Sequence, residues 1–306
     1  MKPNPENESR REFLKATAAA AVAAGTTVGG ALAAAEKLPL VPFGKTQVTR
    51  LIVGANPFYG YSHFNHIFDA HMREFSTSER VLETLHRCEE QGINTWQFSY
   101  HERSVGDLKR FRDEGGKMQW ICLGRPTWVD EPGAVKQAAQ HGPLAISHHG
   151  WQVEQARRRK DWNQIKDMLK RIHDTGVMAG FSVHDPDVLK RSEDEGWEAE
   201  FYITSMYHMF RPDAEYEASL GERPLGEVYL PSDLEKMCAV VRQVPKPCLG
   251  IKVLAAGRLV GNRELKAKAF GRVLKGMKST DPIIVGIYPK EPEQVQETVE
   301  LTLENC

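Results

Sequence analysis

Polar and ionisable side chains collect at the ends of short apolar runs in this chain of 306 residues. The first run, Leu51-Ile52-Val53-Gly54, is followed by Asn56 and then by Tyr59, Tyr61, His63, His66 and His71. Gln97, Ser99, Tyr100, His101 and Glu102 stand at the end of the second run, Arg125 after the third, His148 and His149 after the fourth, and His184 and Asp185 after the fifth. Tyr207 and His208 follow the sixth, Lys252 lies on the seventh, and Tyr288 and Lys290 follow the eighth. Imidazole nitrogens beside a carboxylate suit a zinc, manganese or iron ion, so His148, His184 and His208, with Glu102 or Asp185, form a candidate metal set. Such an ion would polarise a carbonyl or hydroxyl in an isomerase, epimerase or lyase reaction, with Lys252 as acid or base. A lysine on an apolar strand is costly to bury unless it is paired or functional. A non-catalytic alternative uses the aromatics: the six tryptophans and the tyrosines of these segments suit stacking on a sugar or another small ligand.

The runs that carry these residues read as strands at 51–54, 92–97, 119–123, 144–147, 178–183, 201–205, 248–253 and 283–285. Amphipathic stretches at 79–91, 161–175, 187–195, 232–242, 263–277 and 291–303 read as helices. The first buries Val81, Leu82, Leu85 and Cys88; the second has Asp161 as N-cap and Gly176 as its stop. A helix after the third strand is weakly marked. Continuous apolar strands alternating with helices predict a parallel sheet covered on its outer face. Eight such units in about 260 residues predict a closed α/β barrel, a (β/α)8 TIM barrel over 36–306, whose active groups gather at the C-terminal ends of the strands. The aromatic-rich segment 58–75 is long enough to form a lid over that mouth. Arg157-Arg158-Arg159-Lys160 reads as a solvated approach to a helix.

The first 35 residues follow a different logic. Ser9-Arg10-Arg11-Glu12-Phe13-Leu14-Lys15 leads into an Ala/Gly run with small-x-small sites at Ala31-Leu32-Ala33 and Ala33-Ala34-Ala35. This resembles a twin-arginine export signal, which implies the twin-arginine machinery as a partner, export of a folded chain to the periplasm or beyond, and a cofactor- or metal-loaded enzyme as cargo. Residues 16–35 lack the Leu, Ile and Phe content of a stable membrane span. Net charge is -1 overall, and the signal segment carries four basic against three acidic residues, which leaves -2 for the remainder. That balance gives no basic footprint for nucleic acid or anionic lipid. The five cysteines contain no CxxC pair and are odd in number, so neither a disulfide framework nor a thiolate zinc site is expected.

Several segments in order resemble the aldo-keto reductase superfamily. Val41-Pro42-Phe43-Gly44-Lys45-Thr46 with Val48-Thr49-Arg50-Leu51 is similar to the hairpin that plugs the barrel floor, and Glu90-Gln91-Gly92-Ile93-Asn94 to the approach to the second strand. The segments 180–189 (Gly-Phe-Ser-Val-His-Asp-Pro-Asp-Val-Leu), 252–261 (Lys-Val-Leu-Ala-Ala-Gly-Arg-Leu-Val-Gly) and Val285-Gly286-Ile287-Tyr288 through Glu293-Gln294-Val295 resemble the fifth, seventh and eighth units. The resemblance implies oxidoreduction of a small carbonyl or sugar substrate with NADP. Tyr207 would stack on the nicotinamide, His148 would contact the substrate carbonyl, and Gly286, Lys290, Gln294 and the backbone before the last helix would hold phosphate. Of the family's Asp, Tyr, Lys and His, the Asp position is Gln97, the nearest tyrosine is Tyr100, two residues early, and the Lys position falls on Leu123-Gly124 with Arg125 next as substitute cation. His148 stands at the family's His. Without an ammonium and its carboxylate, a buried phenol stays near pKa 10 and is a poor acid at neutral pH.

Overall fold

A computed structural model of the chain describes residues 37–306; the segment that resembles an export signal lies outside the described residues. Two strands, β1 (Leu40–Phe43) and β2 (Thr46–Thr49), pair antiparallel as a hairpin. Eight parallel strands then close into a barrel: β3 (Leu51–Gly54), β4 (Thr95–Ser99), β5 (Gln119–Leu123), β6 (Ala145–His148), β7 (Met178–Val183), β8 (Phe201–Ser205), β9 (Cys248–Ile251) and β10 (Ile283–Gly286). The last strand returns to the first, with Ile283 opposite Leu51 and Gly286 opposite Gly54. The (β/α)8 barrel anticipated from the alternation of apolar runs and helices is the fold.

Side chains of a strand alternate between its two faces, and this alternation decides which residues reach the mouth. Ile52, Ile121, Ala145, Phe201, Ile203, Leu249 and Ile284 fill the barrel interior together with Val41, Phe43 and Val48 of the hairpin. The neighbouring positions Trp96, Phe98, Trp120, Cys122, Ile146, Phe181 and Tyr202 face outward and pack beneath the helices. The hairpin therefore stoppers the N-terminal end, with Phe43 edge-on to Phe201 at 5.2 Å between ring centres.

Twelve helices are described: α1 (Asn56–Tyr59), α2 (His66–Phe75), α3 (Ser78–Glu90), α4 (Glu102–Asp113), α5 (Ala134–Ala139), α6 (Gly150–Arg159), α7 (Trp162–His173), α8 (Pro186–Asp194), α9 (Asp213–Leu220), α10 (Pro231–Val241), α11 (Arg263–Gly276) and α12 (Gln294–Leu303). Local chemistry starts them. Asp161 caps α7, Asn262 caps α11 with its Oδ1 accepting from Leu265 N at 2.8 Å, and Asp185 caps α8 ahead of Pro186. The weakly marked unit after β5 is a 3-10 turn at Pro126–Val129 and the short α5. Five helices, α1, α2, α4, α6 and α9, were not evident in the sequence. The lid segment contains α2, the solvated basic run ends α6, and α4 follows β4. The buried faces of α4 and α6 include Ser104, Asp107, Gly150 and Glu154, so their apolar periodicity is broken. Among the described residues no helix is long and apolar enough to cross a membrane.

Phe43→Ala removes the stopper ring from a fully buried site. Urea unfolding should show a loss of about 3–5 kcal/mol; a loss under about 1 kcal/mol would show that the hairpin does not share the barrel core.

Candidate active site at the mouth of the barrel

A cavity of about 1180 Å³ opens at the C-terminal ends of the strands. Its floor is made by inward-facing Gln97, Leu123, Ser182, Ile203, Ile251 and Ile284. Its walls come from three segments, 54–72, 252–260 and 284–297. Gly286 has to be glycine at this edge, since a Cβ there would lie 2.9 Å from Pro57 Cδ.

One hydrogen-bonded chain crosses the cavity edge. Lys252, at the end of β9, holds its Nζ 3.0 Å from His63 Nε2, and His63 Nδ1 lies 2.9 Å from Glu227 Oε1. The Tyr229 hydroxyl donates to Glu227 Oε2 at 3.0 Å. Glu227 as a carboxylate can only accept, so His63 carries its proton on Nδ1 and offers the Nε2 lone pair to Lys252. Burial and the Lys252 charge push His63 down, which keeps the imidazole neutral. Burial also lowers Lys252, to about 8; Glu227 opposes the shift and Arg258 adds to it. Lys252 is thus divided between ammonium and free amine near neutral pH. Backbone strain marks the same place. His63, Lys252, Ala255 and Ala256 all adopt left-handed φ, between 48° and 65°.

Two further polar groups lie near the cavity. Gln97 lines its floor. His149 caps α6 by accepting from Trp151 N at 3.1 Å, and burial, His63 and Lys252 depress it to about 4.

The remaining candidates scatter. Tyr100 turns its ring away from the cavity, onto Trp128 at 5.5 Å and towards His141 at 6.1 Å. Arg125 and Glu102 are exposed. His148 shares the outward face of β6 with Ile146, so it lies between sheet and helices; burial, His149 and Arg171 of α7 push it down to about 3. The tyrosine ring proposed for nicotinamide stacking, Tyr207, is buried against Tyr229 and does not line the cavity. Gly286 and Gln294 do line it, and Gln294 Oε1 accepts from Tyr288 N at 2.6 Å. Lys290 is exposed, with Nζ 5.9 Å from the centre of the Phe75 ring.

His184 and His208 are brought together, but elsewhere. They line a second, smaller pocket of about 160 Å³ with Asp185, Arg211 and Asp233. His208 Nε2 lies 4.0 Å from Asp185 Oδ2, and His184 Nδ1 lies 4.0 Å from Glu154 Oε1. Arg157 bridges Glu154 and Asp185, and burial raises Glu154 to about 7. The metal set of His148, His184 and His208 does not converge, because β6 points His148 outward. No group of three or more His, Cys, Asp or Glu side chains among the described residues is arranged to hold a metal ion. The donors present do not fit the divalent ion that the sequence suggested.

Sequence reasoning gave His63 no preference over its neighbours in the first loop and did not single out Glu227. The two are 164 residues apart, and no spacing signal links them.

No protein-family profile matches the chain, and no curated protein matches its sequence. The fold is similar to that of the glycerol dehydrogenase AKR11B4 from Gluconobacter oxydans, at 12% identity over 85% of this chain and 89% of that one, with a TM-score of 0.53. It is also similar to Gox0644 in its apo form, at 10% identity, 87% and 88% coverage and a TM-score of 0.52. A tryptophan synthase α-subunit from Pyrococcus furiosus aligns at 11% identity, 83% and 96% coverage and a TM-score of 0.49. Likeness to the first two at this identity establishes the shared barrel fold.

Glu227→Gln removes the carboxylate that holds up the Lys252 pKa. The Lys252 midpoint should fall below about 8, read from the pH dependence of its trinitrophenylation by mass spectrometry. An unchanged midpoint would show that Glu227 is not coupled to Lys252.

Proposed function

We propose that this chain is a barrel-mouth enzyme that moves a proton at the carbon next to a substrate carbonyl, in an isomerase, epimerase or lyase reaction, with Lys252 as the acid and base. The Lys252–His63–Glu227 chain carries this reading. An amine that titrates near 8 is close to the operating pH, where it can both take up and return a proton. In its neutral form it keeps one N–H on His63 Nε2 and directs its lone pair to the cavity. The proton leaves the substrate carbon for Lys252 Nζ, and the electron pair moves onto the carbonyl oxygen. Gln97, on the cavity floor, donates its side-chain amide N–H to that oxygen. Glu227 stabilises the resulting ammonium through the polarised imidazole.

NADP-linked reduction of a small carbonyl or sugar is the second reading, supported by the likeness to the glycerol dehydrogenase. The residues do not fit a dinucleotide in the arrangement that the aldo-keto reductase resemblance implies. Tyr207 is covered and Lys290 stands clear. Glu291, Glu293 and Glu297 bring three carboxylates to the wall where phosphate would sit, and Lys266 is engaged with Glu297 at 2.5 Å. The twin-arginine-like segment supports a site of action outside the cytosol, reached by folded export.

In D2O the protein should exchange the α-protons of butanone, followed by NMR, with a rate that rises with pH through about 8 as the free amine forms. Lys252→Met should reduce that rate on the order of 10²–10⁴-fold. Undiminished exchange in the variant would overturn the assignment. NADPH oxidation by butanone with no exchange would replace it with the second reading.

A further inference from the structure

The first loop carries an amphipathic helix whose apolar stripe is only partly packed: Met72 is buried, while Phe64 and Ile67 are exposed. Phe64, Ile67, Phe68, His71 and Met72 recur at the spacing of one helical face, and all five line the cavity. Ile67 is 71% exposed and Phe64 69%. Among the described residues, nine large apolar side chains are exposed, and five of them, Tyr61, Phe64, Ile67, Phe68 and Val260, rim this one cavity. An apolar concentration of this kind marks a binding surface. Polar bonds hold the helix in that pose. Asn65 Oδ1 accepts from Phe68 N at 2.8 Å, and Asp69 Oδ1 accepts from Ser62 N at 2.8 Å. Tyr288 meets Phe68 and Phe75 edge-on at 6.3 and 5.8 Å.

The cavity is therefore mixed. The part of its rim along α2 and Val260 is apolar, the segment 291–297 brings carboxylates, and its lining also holds Lys252, His63 and Gln97. A three- or four-carbon carbonyl compound would leave most of about 1180 Å³ unfilled. Sugar stacking by the tryptophans is not offered, because none of the six lines the cavity. Trp96, Trp120, Trp128 and Trp197 are buried, Trp162 packs on Trp197, and Trp151 packs on Phe210.

We infer that the cavity takes an extended apolar ligand bearing a carbonyl group, its body along the α2 face and its carbonyl end at Lys252. The carbonyl end rests on the proposed function; the apolar body rests on the rim alone. Calorimetric titration of the full chain with methyl ketones from butanone to 2-nonanone tests it. The Kd should tighten roughly two- to fourfold per added methylene. Phe64→Ser and Ile67→Ser, both at exposed positions, should flatten the series, whereas Leu40→Ser, exposed away from the cavity, should keep it. A flat series in the unmodified protein, or a steep one in both rim variants, would overturn the inference. So would rim-dependent binding to phosphatidylcholine vesicles that no ketone displaces. A steep, rim-dependent series in a protein that exchanges no ketone proton would uphold the apolar pocket and remove the proton-transfer reading.

Discussion

The hydrogen bond from Lys252 Nζ to His63 Nε2 ties together parts of the chain that the barrel alone would leave apart. Lys252 follows β9, His63 precedes α2, and Glu227 comes from the segment between α9 and α10. Lys252 and His63 both sit in left-handed backbone conformations, which cost about 1–3 kcal/mol each for residues other than glycine. That cost is met by the rigid strand ends on one side and by the anchored helix α2 on the other. The same bond sets the electrostatics. Withdrawing Lys252 from water weakens its ammonium form, and the neutral imidazole relays the field of Glu227 without adding a second positive charge.

The closed sheet explains why so few of the polar residues at strand ends share one site. A shift of one position moves a side chain from the mouth to the layer beneath the helices. Ser147 and His148 are adjacent, and His148 faces outward. Tyr100 lies just past the end of β4 and packs on Trp128 on the outer side. Gln97, two residues before Ser99, stays on the interior face and reaches the cavity. The mouth is also split in two. Lys252 and His63 belong to the large cavity, while His184 and His208 belong to a small polar pocket where Arg157 and Arg211 pair with buried carboxylates.

Much of the architecture was legible because it follows from periodicity. The apolar runs at 119–123, 178–183 and 201–205 became strands with those bounds, and Asp161 capped the helix that it was expected to cap. The site was legible only in part. Lys252 was visible as a charge on an apolar strand. The His63–Glu227 pair was not, since its partners come from two irregular segments whose meeting depends on tertiary packing. The stripe of α2 was hidden for a similar reason: its apolar residues signal a buried face, and only the folded chain reveals that this face borders a cavity.

The central claim is an amine poised for proton transfer by a neutral imidazole. Heteronuclear NMR titration of Lys252 Nζ and the His63 ring nitrogens, in the isotopically labelled full chain, tests it most directly. The account predicts a Lys252 midpoint near 8, with His63 neutral through that range and protonated on Nδ1. A Lys252 midpoint above about 10, the ordinary value for a solvated lysine, or a His63 ring protonated on both nitrogens at neutral pH, would contradict it.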